Sequence, residues 1–192
     1  MIEGAFEAFV VSTGVVALAE IGDKTQLLSL VLAARFRRPW AIILGILVAT
    51  LVNHALAGAA GAWIASFVGP MVLRWTLALS FVAMGAWALV PDRLEERDVR
   101  ADHTGVFVTT CVSFFLVEMG DKTQIATVAL AARFPALAAV VAGTTLGMVI
   151  ANAPVVLLGD RLTRRVPLRF VRAVAAATFV LLGVLVLLAS PV

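Results

Sequence analysis

The chain has 192 residues, 62% of them hydrophobic and 14% charged, with a net charge of +3 and a mean hydropathy of +1.05. Soluble domains keep about a quarter of their residues charged, so this chain lacks the polar surface to coat a water-soluble globule, and its small positive charge is no sign of nucleic-acid binding. The single cysteine, Cys111, excludes an intrachain disulfide and a cysteine metal site.

A bilayer-spanning helix needs roughly 20 mostly apolar residues, and six such stretches are predicted near 5–34, 40–66, 71–90, 105–133, 136–159 and 168–189. Glu3 and Glu7 open the first with no early Lys or Arg, which reads as a retained helix rather than a cleaved signal. Pro39, Pro70, Pro135 and Pro167 stand at or just before span entries, where a missing N–H costs little. Pro91 closes the third span, and the strongly polar run that follows, within residues 92–104, is the linker.

An internal repeat organises these spans. Glu20-Ile21-Gly22-Asp23-Lys24-Thr25-Gln26 recurs 98 positions later as Glu118-Met119-Gly120-Asp121-Lys122-Thr123-Gln124, and 11 of the 17 positions from 20 to 36 match their counterparts. Gly45 meets Gly143, Gly61 meets Gly159 and Gly85 meets Gly183 at the same offset. The expected fold is therefore an all-α integral membrane protein of six transmembrane helices in two three-helix repeats, 1–91 and 105–192. An odd number of spans per copy turns the second upside down. Arginine placement agrees: the loops after spans one, three and five carry 11 arginines, against Arg74 and Arg133 on the other side. By the positive-inside rule the linker is cytoplasmic and both termini lie outside the cytoplasm. An eight-span alternative, with each motif in a loop between shorter helices, would leave segments of about 15 residues, short of the usual span.

Each motif is expected inside an apolar span. On a continuous helix Glu20, Asp23 and Lys24 stand at i, i+3 and i+4 and share one face, as do Glu118, Asp121 and Lys122. A charge at the bilayer centre costs at least about 2.5–3.5 kcal/mol, so six of them need a shared polar site. Inverted repeats supply one by bringing both motifs to the midplane. Four carboxylates and two lysines sum to −2 if all are ionised, the complement of one divalent cation. Oxygen donors suit manganese, calcium or magnesium, and Thr25, Gln26, Thr123 and Gln124 are placed to complete or support the shell. Metal and protons would compete for the same oxygens, the minimal requirement for exchange. An Asp–Lys latch between helices is the plainer reading, but the acids outnumber the lysine in each copy. Gly22 and Gly120 permit close helix approach or local unwinding, and the sequence leaves both open. His54 aligns with Asn152, and Asn53 precedes it; His54 is placed to relay protons, to bind metal, or simply to bond a neighbouring helix carbonyl. Gly143 and Gly147 form a GxxxG packing pattern.

The doubled Glu-x-Gly-Asp-Lys-Thr motif, one per three-helix half, resembles the signature of the calcium/manganese–proton exchanger family, which includes the human Golgi manganese transporter and bacterial manganese exporters. The resemblance covers essentially the whole chain. It implies a multi-pass transporter of the bacterial inner membrane that exports manganese, or calcium, against protons. It further implies a cation site of Glu20, Asp23, Glu118 and Asp121, with Lys24, Thr25, Lys122 and Thr123 in support. The metal would be substrate and the proton the coupling ion, with no cofactor. An exporter of a cationic amino acid or small organic solute is the alternative; a channel is a third option. An enzyme is not expected, since Cys111 lies seven residues before the second motif and no nucleophile–base pair is evident.

Overall fold

A computed structural model describes residues 2–91, 105–159 and 168–188, which are helical apart from short connections. In order the helices are α1 (Ile2–Glu20), α2 (Lys24–Phe36), α3 (Pro39–Phe67), α4 (Pro70–Ala88), α5 (Val106–Glu118), α6 (Lys122–Arg133), α7 (Leu137–Leu158) and α8 (Leu168–Leu188). The linker at 92–104, Arg161, Arg164 and Arg165 fall outside the described residues.

Helices α3, α4, α7 and α8 are each long and apolar enough to cross a membrane. At 1.5 Å per residue, the 22 residues of α7 extend about 33 Å, against a hydrocarbon core of about 30 Å. Pro39 and Pro70 occupy the first turns of α3 and α4, as their missing N–H groups suggest. The chain is a multi-pass membrane protein.

The first and fourth predicted spans are not single helices. α1 and α2 are joined by three residues and bent by 70°, forming a broken span or re-entrant loop. The same three-residue break separates α5 from α6. The cause is local. Gly22 and Gly120 adopt φ of 83° and 78°, a conformation that costs residues bearing a Cβ. Asp23 and Asp121 follow in extended backbone (ψ 168° and 169°) and begin the second helix of each pair. Of the two options the sequence left open, unwinding is the one adopted. The one-face reading is corrected: Glu20 ends one helix, Asp23 caps the next, and i, i+3, i+4 spacing no longer describes their geometry. With 13 and 12 residues, α2 and α6 reach only about 20 and 18 Å, so the breaks do not produce eight spans.

The two sequence repeats interleave. α1 lies along α7, α5 lies along α3, α3 packs on α7 at the centre, and α4 packs on α8. Lipid tails are as apolar as leucine, so helix association here rests on close packing rather than on escape from water. Gly143 and Gly147 serve that packing: a Cβ would stand 2.5 Å from the Phe9 carbonyl oxygen or 2.7 Å from that of Thr13, both on α1. Leu28, Leu32, Ile46, Phe114 and Met148 fill the centre, and Leu77, Phe81 and Phe179 form a second cluster around α4 and α8. Leu44, Leu51, Phe67 and Leu185 face outward, as a lipid-contacting surface requires. Each broken pair is thereby held against the middle helix of the other repeat.

Candidate functional site

The two breaks are built alike. The Asp23 and Asp121 backbone N–H groups donate to the Glu20 and Glu118 carbonyls at 3.0 and 3.1 Å, closing a single turn. Three residues past each Asp, a glutamine reaches back. Gln26 Oε1 accepts from Gly22 N–H at 3.0 Å, and Gln124 Oε1 accepts from Gly120 N–H at 2.6 Å. This is the logic of a capping box, in which a polar side chain near the helix start satisfies N–H groups the helix cannot. The Asp23 carboxylate also accepts from the Thr25 backbone N–H, at 3.5 Å.

The same glutamines tie each break to the other repeat. Gln26 Nε2 donates to the Ala151 carbonyl at 3.1 Å, and Gln124 Nε2 donates to Asn53 Oδ1. Hydroxyls within each motif hold its glutamate: Thr25 Oγ1 donates to Glu20 Oε2, and Thr123 Oγ1 donates to Glu118 Oε2 at 2.8 Å. Asn152 Nδ2 approaches the same Glu20 oxygen at 3.4 Å. Asn152 Oδ1 accepts from Ser29 Oγ at 2.7 Å. Ser29 is a site residue that sequence reasoning missed. The signal was available, since Ser29 aligns with Thr127 and both carry hydroxyls.

The charges pair crosswise. Lys122 Nζ lies 2.7 Å from Asp23 Oδ1, and Lys24 Nζ lies 3.3 Å from Asp121 Oδ1. Each lysine thus serves the aspartate of the other copy. The pairs are not equally enclosed: the Lys122 side chain is 3% exposed and that of Lys24 is 24% exposed. The latch expected as the plainer reading is therefore present, but it engages only the aspartates.

Carboxylate oxygens of Glu20, Glu118 and Asp121, all buried, lie within 4.8 Å of one another. Ion–oxygen distances of about 2.0–2.6 Å hold the donors of one ion no more than roughly 4–5 Å apart, so this trio can reach a single hard cation with little adjustment. Among the described residues Glu20 Oε1, Glu118 Oε1 and Asp121 Oδ2 have no hydrogen-bond partner. Asp23 is not in the trio; its carboxylate is turned to Lys122 and the start of α2. His54 is fully buried, with Nε2 4.0 Å from Glu118 Oε2. Among the described residues it bonds no helix carbonyl, and neither ring nitrogen has a hydrogen-bond partner there. Cys111 is apart from this cluster and approaches the Gly45 carbonyl at 3.4 Å.

Buried acids clustered between two repeated motifs suit a cation transporter, and the comparisons point to that class. A protein of Vibrio cholerae named "Putative manganese exporter" is 47% identical over 182 residues, covering 94% of this chain and 90% of that protein. "GDT1-like protein sll0615" of Synechocystis is 28% identical over 200 residues, covering 92% of this chain and 95% of its own length. "GDT1-like protein 3" of Oryza sativa is 25% identical over 203 residues, with 92% and 72% covered. No solved structure matches. The family profile described as "Divalent cation/proton antiporter GDT1" matches residues 8–96 and 106–191, and the chain belongs to that family.

Proposed function

We propose that the chain is a secondary transporter that exports manganese, with calcium as the second candidate, from the bacterial cytoplasm in exchange for protons. The ion is held by Glu20, Glu118 and Asp121, with Asp23 beside them paired to Lys122. Thr25, Thr123 and Asn152 orient the glutamates, Gln26, Gln124 and Asn53 hold the breaks in place, and Lys24 and Lys122 balance charge. In this reading α1–α2 and α5–α6 are each one broken span, so the chain has six spans in two inverted repeats. The arginine asymmetry favours a cytoplasmic linker and external termini.

The observation that carries the proposal is the crosswise pairing. With each aspartate matched to a lysine, Glu20 and Glu118 remain as two negative charges if ionised, which one divalent ion neutralises. Two protons neutralise them equally well. A site that must be loaded with one or the other before it can be enclosed in lipid exchanges them. Discontinuous helices at the membrane midplane are a recurring design for such sites. The crosswise pairs also disfavour a cationic amino acid as cargo, because two ammonium groups already occupy the aspartates. The name of the Vibrio cholerae relative supports manganese over calcium.

The test is exchange in proteoliposomes with a trapped pH dye. Manganese or calcium added outside should drive protons out of the lumen, and Asp121→Asn should abolish the signal. Metal entry without proton movement would instead identify a channel, and a response to lysine alone would overturn the metal site.

A further inference from the structure

We propose that Lys24 is a displaceable guard of the ion site: its ammonium group holds Asp121 until a divalent ion takes that carboxylate, and then swings out towards water. The inference rests on the carboxylate site proposed above and assigns the residue that controls entry to it.

Asp121 is the aspartate placed to serve two cations. Its carboxylate reaches those of Glu20 and Glu118 within 4.8 Å, while its Oδ1 lies 3.3 Å from Lys24 Nζ. Asp23, its counterpart in the repeat, holds Lys122 at 2.7 Å and is not in the trio. Like charges brought onto one carboxylate repel, and they do so strongly where water is scarce. An ion bound by Asp121 therefore opposes the Lys24 ammonium directly and leaves the Lys122–Asp23 pair in place.

The two lysines also differ in whether they can leave. Lys122 is 3% exposed, so withdrawing it would strand a buried charge. Lys24 is 24% exposed, and a lysine carries its charge on a flexible stem that extends readily into water. The break beside its partner is open as well. A Cβ on Gly22 would meet Leu168 at 3.0 Å, whereas among the described residues nothing lies within 4 Å of a Cβ on Gly120. Met119, next to Gly120, is 57% exposed. Unwound backbone at membrane depth is tolerated only against protein or water, and no described residue covers Gly120. The Met119–Gly120 side is then the way in, and Lys24 stands beside it on Asp121.

This arrangement selects by charge. A divalent ion brings two charges in exchange for the single one it expels. Sodium or potassium brings no more than the ammonium already there. When the divalent ion leaves, Lys24 returns to Asp121.

The chain has two lysines, so amine chemistry reads the guard directly. The purified full-length protein is treated with a water-soluble acylating reagent, with and without manganese, and each lysine is followed by mass spectrometry of its peptide. Manganese should speed acylation of Lys24 several-fold, with Lys122 slow throughout and sodium without effect. An unchanged or slower rate at Lys24, or equal acceleration by sodium, would overturn the proposal. Manganese binding to Lys24→Met is the second arm. Affinity should tighten at least about tenfold, because a unit charge competing within a few ångströms of the ion is gone, even though the variant is less stable. A residue that only held the fold would lose binding along with stability, so unchanged or weaker binding by the folded variant would also overturn the proposal. If wild type bound no manganese, the carboxylate site itself would fall, and its guard with it.

Discussion

Replacing Lys122 by methionine should destabilise the protein far more than the same change at Lys24, although the repeat makes the two lysines equivalent. The Lys122–Asp23 pair is 2.7 Å long and almost wholly enclosed. Breaking such a pair leaves an uncompensated buried charge and costs about 3–5 kcal/mol. The Lys24–Asp121 pair is longer, at 3.3 Å, and a quarter of the Lys24 side chain is exposed. Solvent screening lowers its worth to roughly 1–2 kcal/mol, between the values for exposed and buried pairs. For a chain of this size each kcal/mol moves the midpoint by about 2–4 °C. Lys122→Met should therefore lower Tm by roughly 6–20 °C, and Lys24→Met by roughly 2–8 °C. Tryptophan fluorescence during thermal unfolding in metal-free detergent reads both. The double variant Asp23→Asn, Lys122→Met removes both charges and should recover most of the loss. Equal shifts for the two lysines, or no recovery in the double variant, would refute the crosswise pairing as the source of stability.

Three further outcomes follow from the same geometry. Glu118→Gln should abolish manganese-driven proton movement in proteoliposomes while leaving Tm unchanged or raised, because it relieves crowding among buried like charges. Gly22→Ala and Gly120→Ala should each cost about 1–2 kcal/mol, read as a Tm decrease, since each residue needs a left-handed backbone. Apparent manganese affinity should weaken as pH falls, because each carboxylate must shed its proton before it can ligate; metal binding titrated across pH checks the sign.

The membrane class, the repeat and the identity of the acidic residues are legible in the sequence because each is carried by residue type and spacing alone. The breaks at Gly22 and Gly120 are not read when helical spacing is extended through a long apolar run. The signal was there: Gly-Asp-x-x-Gln places a positive-φ residue, an N-cap and a reaching glutamine in the order that starts a helix. The crosswise lysine pairing is of another kind. It depends on α1–α2 docking against α7 while α5–α6 docks against α3, and nothing local in either motif specifies its partner. For the same reason Asp23 reads as the equal of Asp121 in sequence, whereas Asp23 is turned to Lys122 and the start of α2, and Asp121, also paired with Lys24, stays within reach of both glutamates. His54 shows the limit from the other side. Its alignment with Asn152 marks a shared position, but only the fold shows that one of them is hydrogen-bonded and the other is not.

Metal and protons should occupy the same oxygens, and calorimetric titration of the purified protein with manganese tests this most directly. Repeating the titration in buffers of different ionisation enthalpy counts the protons released per ion bound. One manganese per chain with net proton release, both lost in Glu20→Gln and Glu118→Gln, is the expected result. Manganese binding with no proton release, or binding that survives both substitutions, would contradict it.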